Sequence, residues 1–111
     1  MLTSTRINPS DCAMPDMTAE AMTVATKAFA DSTGAFTAGI WRSKPNRIQV
    51  NYTKNEFCYL IEGEVHLTPV DGETAIYRAG DAFVVPAGFK GAWVMPVAVA
   101  KYYVLHVPQV D

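Results

Sequence analysis

Histidine is scarce in this chain: two residues, His66 and His106, among 111. A site that needs three imidazoles cannot be assembled from one copy. Cysteine is equally scarce. Cys12 and Cys58 lie too far apart for a Cys-x-x-Cys motif and are too few for a disulfide framework. Charged residues make up 18% of the chain, and the net charge of −2 leaves no basic surface for nucleic acid. The Lys and Arg residues are scattered rather than blocked. No apolar run approaches the roughly eighteen residues of a membrane-spanning helix. The opening MLTSTRINPSDCAMPDM is polar and broken by proline, without the apolar core of a secretory signal, so the expected location is cytoplasmic. Internal repeats and low-complexity segments are missing too.

What the chain has in quantity is apolar side chains, 50% of all residues, which suits a globular domain with a core. The length fits a single domain. Residues 1–20 read as an arm, interrupted by Pro9, Asp11, Pro15 and Asp16, that hangs free or lies over the body or a partner chain. Residues 21–111 read as one domain of short strands between turn residues. TVATKAFA and AFTAGIW flank Asp31 to Gly34 as a hairpin. The alanines of AMTVATKAF would also suit a helix, but Thr, Val and the early turn favour a strand. RIQVNY, EFCYLI, EVHLTPV, ETAIYRA, AFVVP, GAWVMPV and AKYYVLHV follow. EFCYLI is apolar enough to be covered on both faces. Asp71-Gly72 is the strongest hairpin signal, and Gly63, Gly72 and Gly80 fall at reversals that often require positive φ. Roughly nine or ten strands without a helix predict an all-β closed barrel or jelly roll, which leaves no open sheet edge.

Two stretches carry a resemblance. NEFCYLIEGEVHL, with Glu56 upstream of Glu62-Gly63, resembles the first cupin motif, and GDAFVVPAGFKGAW resembles the second. Gly39-x-Trp41, Pro45, Asn55-Glu56-Phe57, Gly80-Asp81, Pro86-x-Gly88, Trp93 and Lys101-Tyr102-Tyr103 extend the pattern over residues 22–107. The set is similar to the small single-domain cupins grouped with the cupin domain of ureidoglycine aminohydrolase. The resemblance implies a cupin double-stranded β-helix, the RmlC-like jelly-roll barrel, and a homodimer. Metal-binding cupins hold their ion with three histidines and a carboxylate, two of the histidines in an HxH pair. Here the HxH positions fall on Gln49 and Asn51, or on Val50 and Tyr52, depending on the family spacing. The third falls on Gly91, and Glu56 is the one ligand position retained. Neutral amides and one carboxylate make a poor transition-metal site, so no metal and no cofactor is expected. Cys58, on the same strand face as Glu56, reads as a thiolate ligand or as a small buried hydrophobe.

A carboxylate inside a barrel needs a partner, because an unpaired buried charge is costly. In the last strand Lys101, Tyr103 and Leu105 share a face, and Lys101 sits among apolar neighbours. Turned inward, it would balance Glu56 where a metal would otherwise do so; turned outward, it is a rim or edge lysine. Two-residue periodicity from Gly91 points Trp93 inward, with Met95 following. A cavity lined by Gln49 or Asn51, Tyr52, Glu56, Trp93, Tyr103, Trp41 and Lys101 would be concave and aromatic, with a few convergent polar groups. Glu56, Lys101 and Tyr52 are then the candidates for moving protons, as in isomerisation or deamination. Three readings stand: a metal-independent cupin binding a small polar molecule, a metal-dependent hydrolase of a ureido compound, and a non-catalytic dimerising module.

Overall fold

The computed structural model describes residues 2–16 and 18–109. Residues 1 and 17 of the expected arm and 110–111 of the expected domain lie outside the described residues. Among the described residues, nine strands follow one 3-10 turn: β1 Thr23–Ala30, β2 Phe36–Ser43, β3 Asn46–Asn51, β4 Asn55–Glu62, β5 Glu64–Pro69, β6 Ala75–Arg78, β7 Ala82–Val85, β8 Lys90–Met95 and β9 Val99–His106. They form two antiparallel sheets, β1-β2-β9-β4-β7 and β3-β8-β5-β6, the jelly roll that the cupin resemblance implies. Of AMTVATKAF, the part from Thr23 on is strand, paired with β2, and no part of it is helix. Among the described residues, no helix is long and apolar enough to cross a membrane.

Alternation decides which side chains meet. Inward positions of β4, β5, β7 and β8 supply Cys58, Leu60, Val65, Leu67, Phe83, Val85, Trp93 and Met95, joined by Val99 of β9. Tyr77 stacks on Phe83 with ring centroids 3.9 Å apart. Two expectations need correction. EFCYLI is not covered on both faces: Phe57 and Tyr59 project from the outer side of the sheet and remain 44% and 38% exposed in the single chain. Gly63 and Gly80 do adopt positive φ, but Gly72 does not. It lies in the wider loop 70–74 between β5 and β6, a hairpin without a two-residue turn.

The arm lies over its own body. Pro9–Asp11 forms the 3-10 turn, with Asn8 accepting from the Ser10 amide. Arg42 reaches out from β2 to the carbonyls of Cys12 and Pro9, and the Lys44 ammonium donates to the Ala19 carbonyl at 2.7 Å. These bonds press Cys12 against the outer face of β2, where Ala38 and Ile40 are buried outside the main core.

Candidate functional site

Glu56 faces inward because it shares the phase of Cys58 and Leu60 along β4. Its neighbour Asn55 faces the other way in function as well as direction, accepting a hydrogen bond from the Ala87 amide at 2.8 Å and so fixing the Pro86-Ala87-Gly88 turn. Gly88 has φ of 95°, a conformation open to glycine at little cost. Its amide donates to the Tyr52 carbonyl at 2.7 Å, and the Tyr52 amide donates to Phe89 at 2.8 Å. The second motif thereby clamps Tyr52, whose hydroxyl donates to Glu56 Oε1 at 2.7 Å.

The other carboxylate oxygen belongs to Lys101. Its Nζ donates to Glu56 Oε2 at 3.0 Å, and the two side chains are 5% and 8% exposed. In register Lys101 lies opposite Leu60, while Glu56 lies opposite Leu105. The long lysine stem therefore runs diagonally past Cys58, whose Sγ is 3.6 Å from Nζ. The ammonium also sits over two indole rings, 4.7 Å from the Trp41 centroid and 4.4 Å from that of Trp93. Carboxylate, thiol and two π-faces enclose one desolvated cation, where each cation–π contact counts for more than at the surface. Burial pushes the Cys58 thiol up to about 12, the Lys101 charge opposing and the Glu56 charge reinforcing the shift, so the group is a thiol and not a thiolate ligand at neutral pH. Burial first, then the Glu56 charge, raises the pKa of Tyr52.

Above this cluster is a cavity of about 310 Å³. Tyr52, Glu56, Lys101 and Tyr103 supply its polar groups; Trp41, Trp93, Ile48, Val50, Leu105 and Ala25 complete the wall. Six residues singled out from the sequence thus meet in one place: Glu56, Lys101, Tyr52, Trp93, Tyr103 and Trp41. Gln49 and Asn51 do not join them. They occupy the outward phase of β3, exposed, and border a shallow depression with Thr53 and Lys54. Tyr52 and Asn51 are adjacent, so both cannot point inward along an extended chain. The inner face of β3 carries Ile48 and Val50, which sequence reasoning left aside although one family spacing passed through Val50. Leu105 was legible from the shared face of β9. Ala25 had no signal.

The residues do not fit a cupin metal. Among the described residues no three His, Cys, Asp or Glu side chains converge. Both Glu56 oxygens are engaged, one of them by a cation. At Gly91 a Cβ would lie 2.0 Å from the Thr68 carbonyl oxygen, leaving no room for an imidazole, and the glycine does not line the cavity mouth. His66 is on the outer side of β5, 2.5 Å from Glu64, which also takes a bond from Arg78 at 3.1 Å. His106 is exposed, beside Asn55 at 3.3 Å.

Comparison with known proteins identifies the fold family. The model of the EutQ-like cupin domain matches residues 30–103. The chain belongs to that family. Among solved structures, one described as ethanolamine utilization protein Q from Salmonella typhimurium LT2 is 25% identical, with a TM-score of 0.68, covering 78% of this chain and 71% of that one. A DUF861 family protein from Thermotoga maritima is 33% identical over 58% of this chain and 73% of its own, with a TM-score of 0.56. A Rhizobium leguminosarum protein of unknown function superposes with a TM-score of 0.79 over 96% of this chain and all of its own, at 15% identity, a likeness of fold alone. No curated protein matches the sequence.

Proposed function

We propose that this EutQ-like cupin binds a small molecule without a metal, in the cavity whose floor is the Glu56–Lys101–Tyr52 cluster. The observation that carries the reading is the buried 3.0 Å contact of Lys101 with Glu56, a chain-borne cation beside the one retained cupin ligand. Around it lie aromatic walls and few polar groups, the make-up of a ligand pocket near the small end of the usual range. Burial and the Glu56 charge keep the proton on the Tyr52 hydroxyl, which donates it in a hydrogen bond to Glu56, so the floor meets an occupant with its groups already paired. The finer resemblance, to the ureidoglycine aminohydrolase cupin domain, would bring metal-dependent hydrolysis; neither Val50, Tyr52 nor Gly91 offers an imidazole for it.

A thermal-shift screen of small neutral, acidic and ureido compounds tests the reading. A true ligand at a hundred times its Kd adds about 2.7 kcal/mol of stability, and EDTA leaves the melting temperature unchanged. A screen that moves nothing, or a large loss of stability on chelation, overturns it.

We also propose a homodimer through the outer face of the five-stranded sheet. Val104, Phe57 and Val84 form one row across β9, β4 and β7, and Tyr102 and Tyr59 stand beside it with centroids 6.0 Å apart. No charged side chain interrupts these rows. A charged partner finds nothing to pair with there, whereas a second copy of the same face is complementary to it.

A further inference from the structure

The floor of the cavity is electrically closed. Glu56 spends both oxygens on this chain, on Tyr52 and Lys101. The Lys101 ammonium is surrounded by Glu56, Cys58 and the rings of Trp41 and Trp93. An anionic ligand meets a cation already neutralised, and a cationic ligand meets aromatic walls already occupied by one. Either would bring a charge into an apolar wall with no counter-charge free to receive it, a costly transfer.

What remains unspent is a hydrogen-bond donor. Tyr103 lines the cavity, and its hydroxyl, which lies beside Gly39 of β2, takes part in no hydrogen bond among the described residues. Gly39 makes the space for it, since a Cβ there would come within 2.9 Å of that oxygen. Burial, then the Glu56 charge, raises the Tyr103 pKa, so the group stays a phenol able to donate. Trp93 Nε1 is also without a partner among the described residues, but it has no surface open to the cavity and so offers an occupant no donor.

From this we infer that the occupant is an uncharged, largely apolar small molecule with one hydrogen-bond acceptor, a ketone or amide carbonyl, seated against the Tyr103 hydroxyl. The inference rests on the reading that the cavity binds a small molecule, and replaces the polar occupant expected from sequence with a largely apolar one. Ile48, Val50 and Leu105 take the apolar body, and Tyr103 orients the carbonyl.

The chain carries its own reporters, because its two tryptophans both line the cavity. Their indole N–H signals can be followed by ¹H–¹⁵N NMR while cyclopentanone, cyclopentanecarboxylate and cyclopentylammonium are titrated. The ketone should shift both signals saturably and bind at least about tenfold more tightly than either ion. Tyr103→Phe should weaken the ketone about five- to tenfold, the share of one neutral hydrogen bond. An ion binding as tightly as the ketone overturns the inference while leaving an occupied cavity. Unchanged ketone affinity in Tyr103→Phe removes Tyr103 as the donor, even in a variant that keeps both indole signals in place. If none of the three probes moves the indoles, the cavity reading falls with it.

Discussion

At the scale of single residues, the Glu56–Lys101 pair is an arrangement whose halves depend on each other. Desolvating both charges is expensive, so the pair adds little net stability, whereas removing one partner strands the other. Lys101→Met should therefore cost about 3–5 kcal/mol in urea denaturation, and Glu56→Gln combined with Lys101→Met should return to within about 2 kcal/mol of the parent. A single variant as stable as the parent would mean that the pair is solvated in solution. Cys58 makes a second prediction. The folded thiol holds its proton up to about 12, while the unfolded one releases it near 9.0. Between those values the unfolded chain binds fewer protons, so stability that is present below pH 9 falls as pH rises through the window. The same burial should keep Cys58 slow toward iodoacetamide at neutral pH, until the chain is unfolded. Stability that is flat from pH 8 to 11 would contradict this.

At the scale of elements, the two motifs work as one device. Asn55 of β4 pins the 86–88 turn, the turn pins Tyr52, and Tyr52 returns to Glu56, one residue from where the path began. The sequence shows the motif residues but not this circuit, because the partners are brought together by β4–β7 pairing and the turn that follows it. Gly91 illustrates the same limit. Counting placed it where a cupin would carry its third histidine; packing shows a glycine held against β5, with Thr68 and Pro69 filling the space of a side chain. Gly91→Ala should cost about 1–3 kcal/mol or more by overpacking, and Gly91→His should break β5–β8 pairing rather than supply a ligand. Denaturation midpoints for the two variants are the check, and an undiminished midpoint for either would refute the packing account.

At the scale of the whole molecule, the outer face of the five-stranded sheet sets the expected assembly. Light scattering should give a two-chain mass, and Phe57→Lys with Val84→Lys should give single chains whose cavity is intact; a single-chain parent would overturn the dimer. Short apolar runs between turn residues were enough by themselves to determine an all-β closed barrel or jelly roll, since strand alternation and reversals are local properties. They also put Lys101, Tyr103 and Leu105 on one face of the last strand, without saying whether that face turns inward. Only the tertiary structure decided that Lys101 reaches Glu56, because the two lie far apart in sequence and meet by a diagonal across paired strands. It alone separated Val50 from Gln49 and Asn51 as wall, since the phase of β3 depends on its pairing with β8. And it alone showed a cavity whose charges are already spent, because charge balance is a property of distances that no one-dimensional pattern contains.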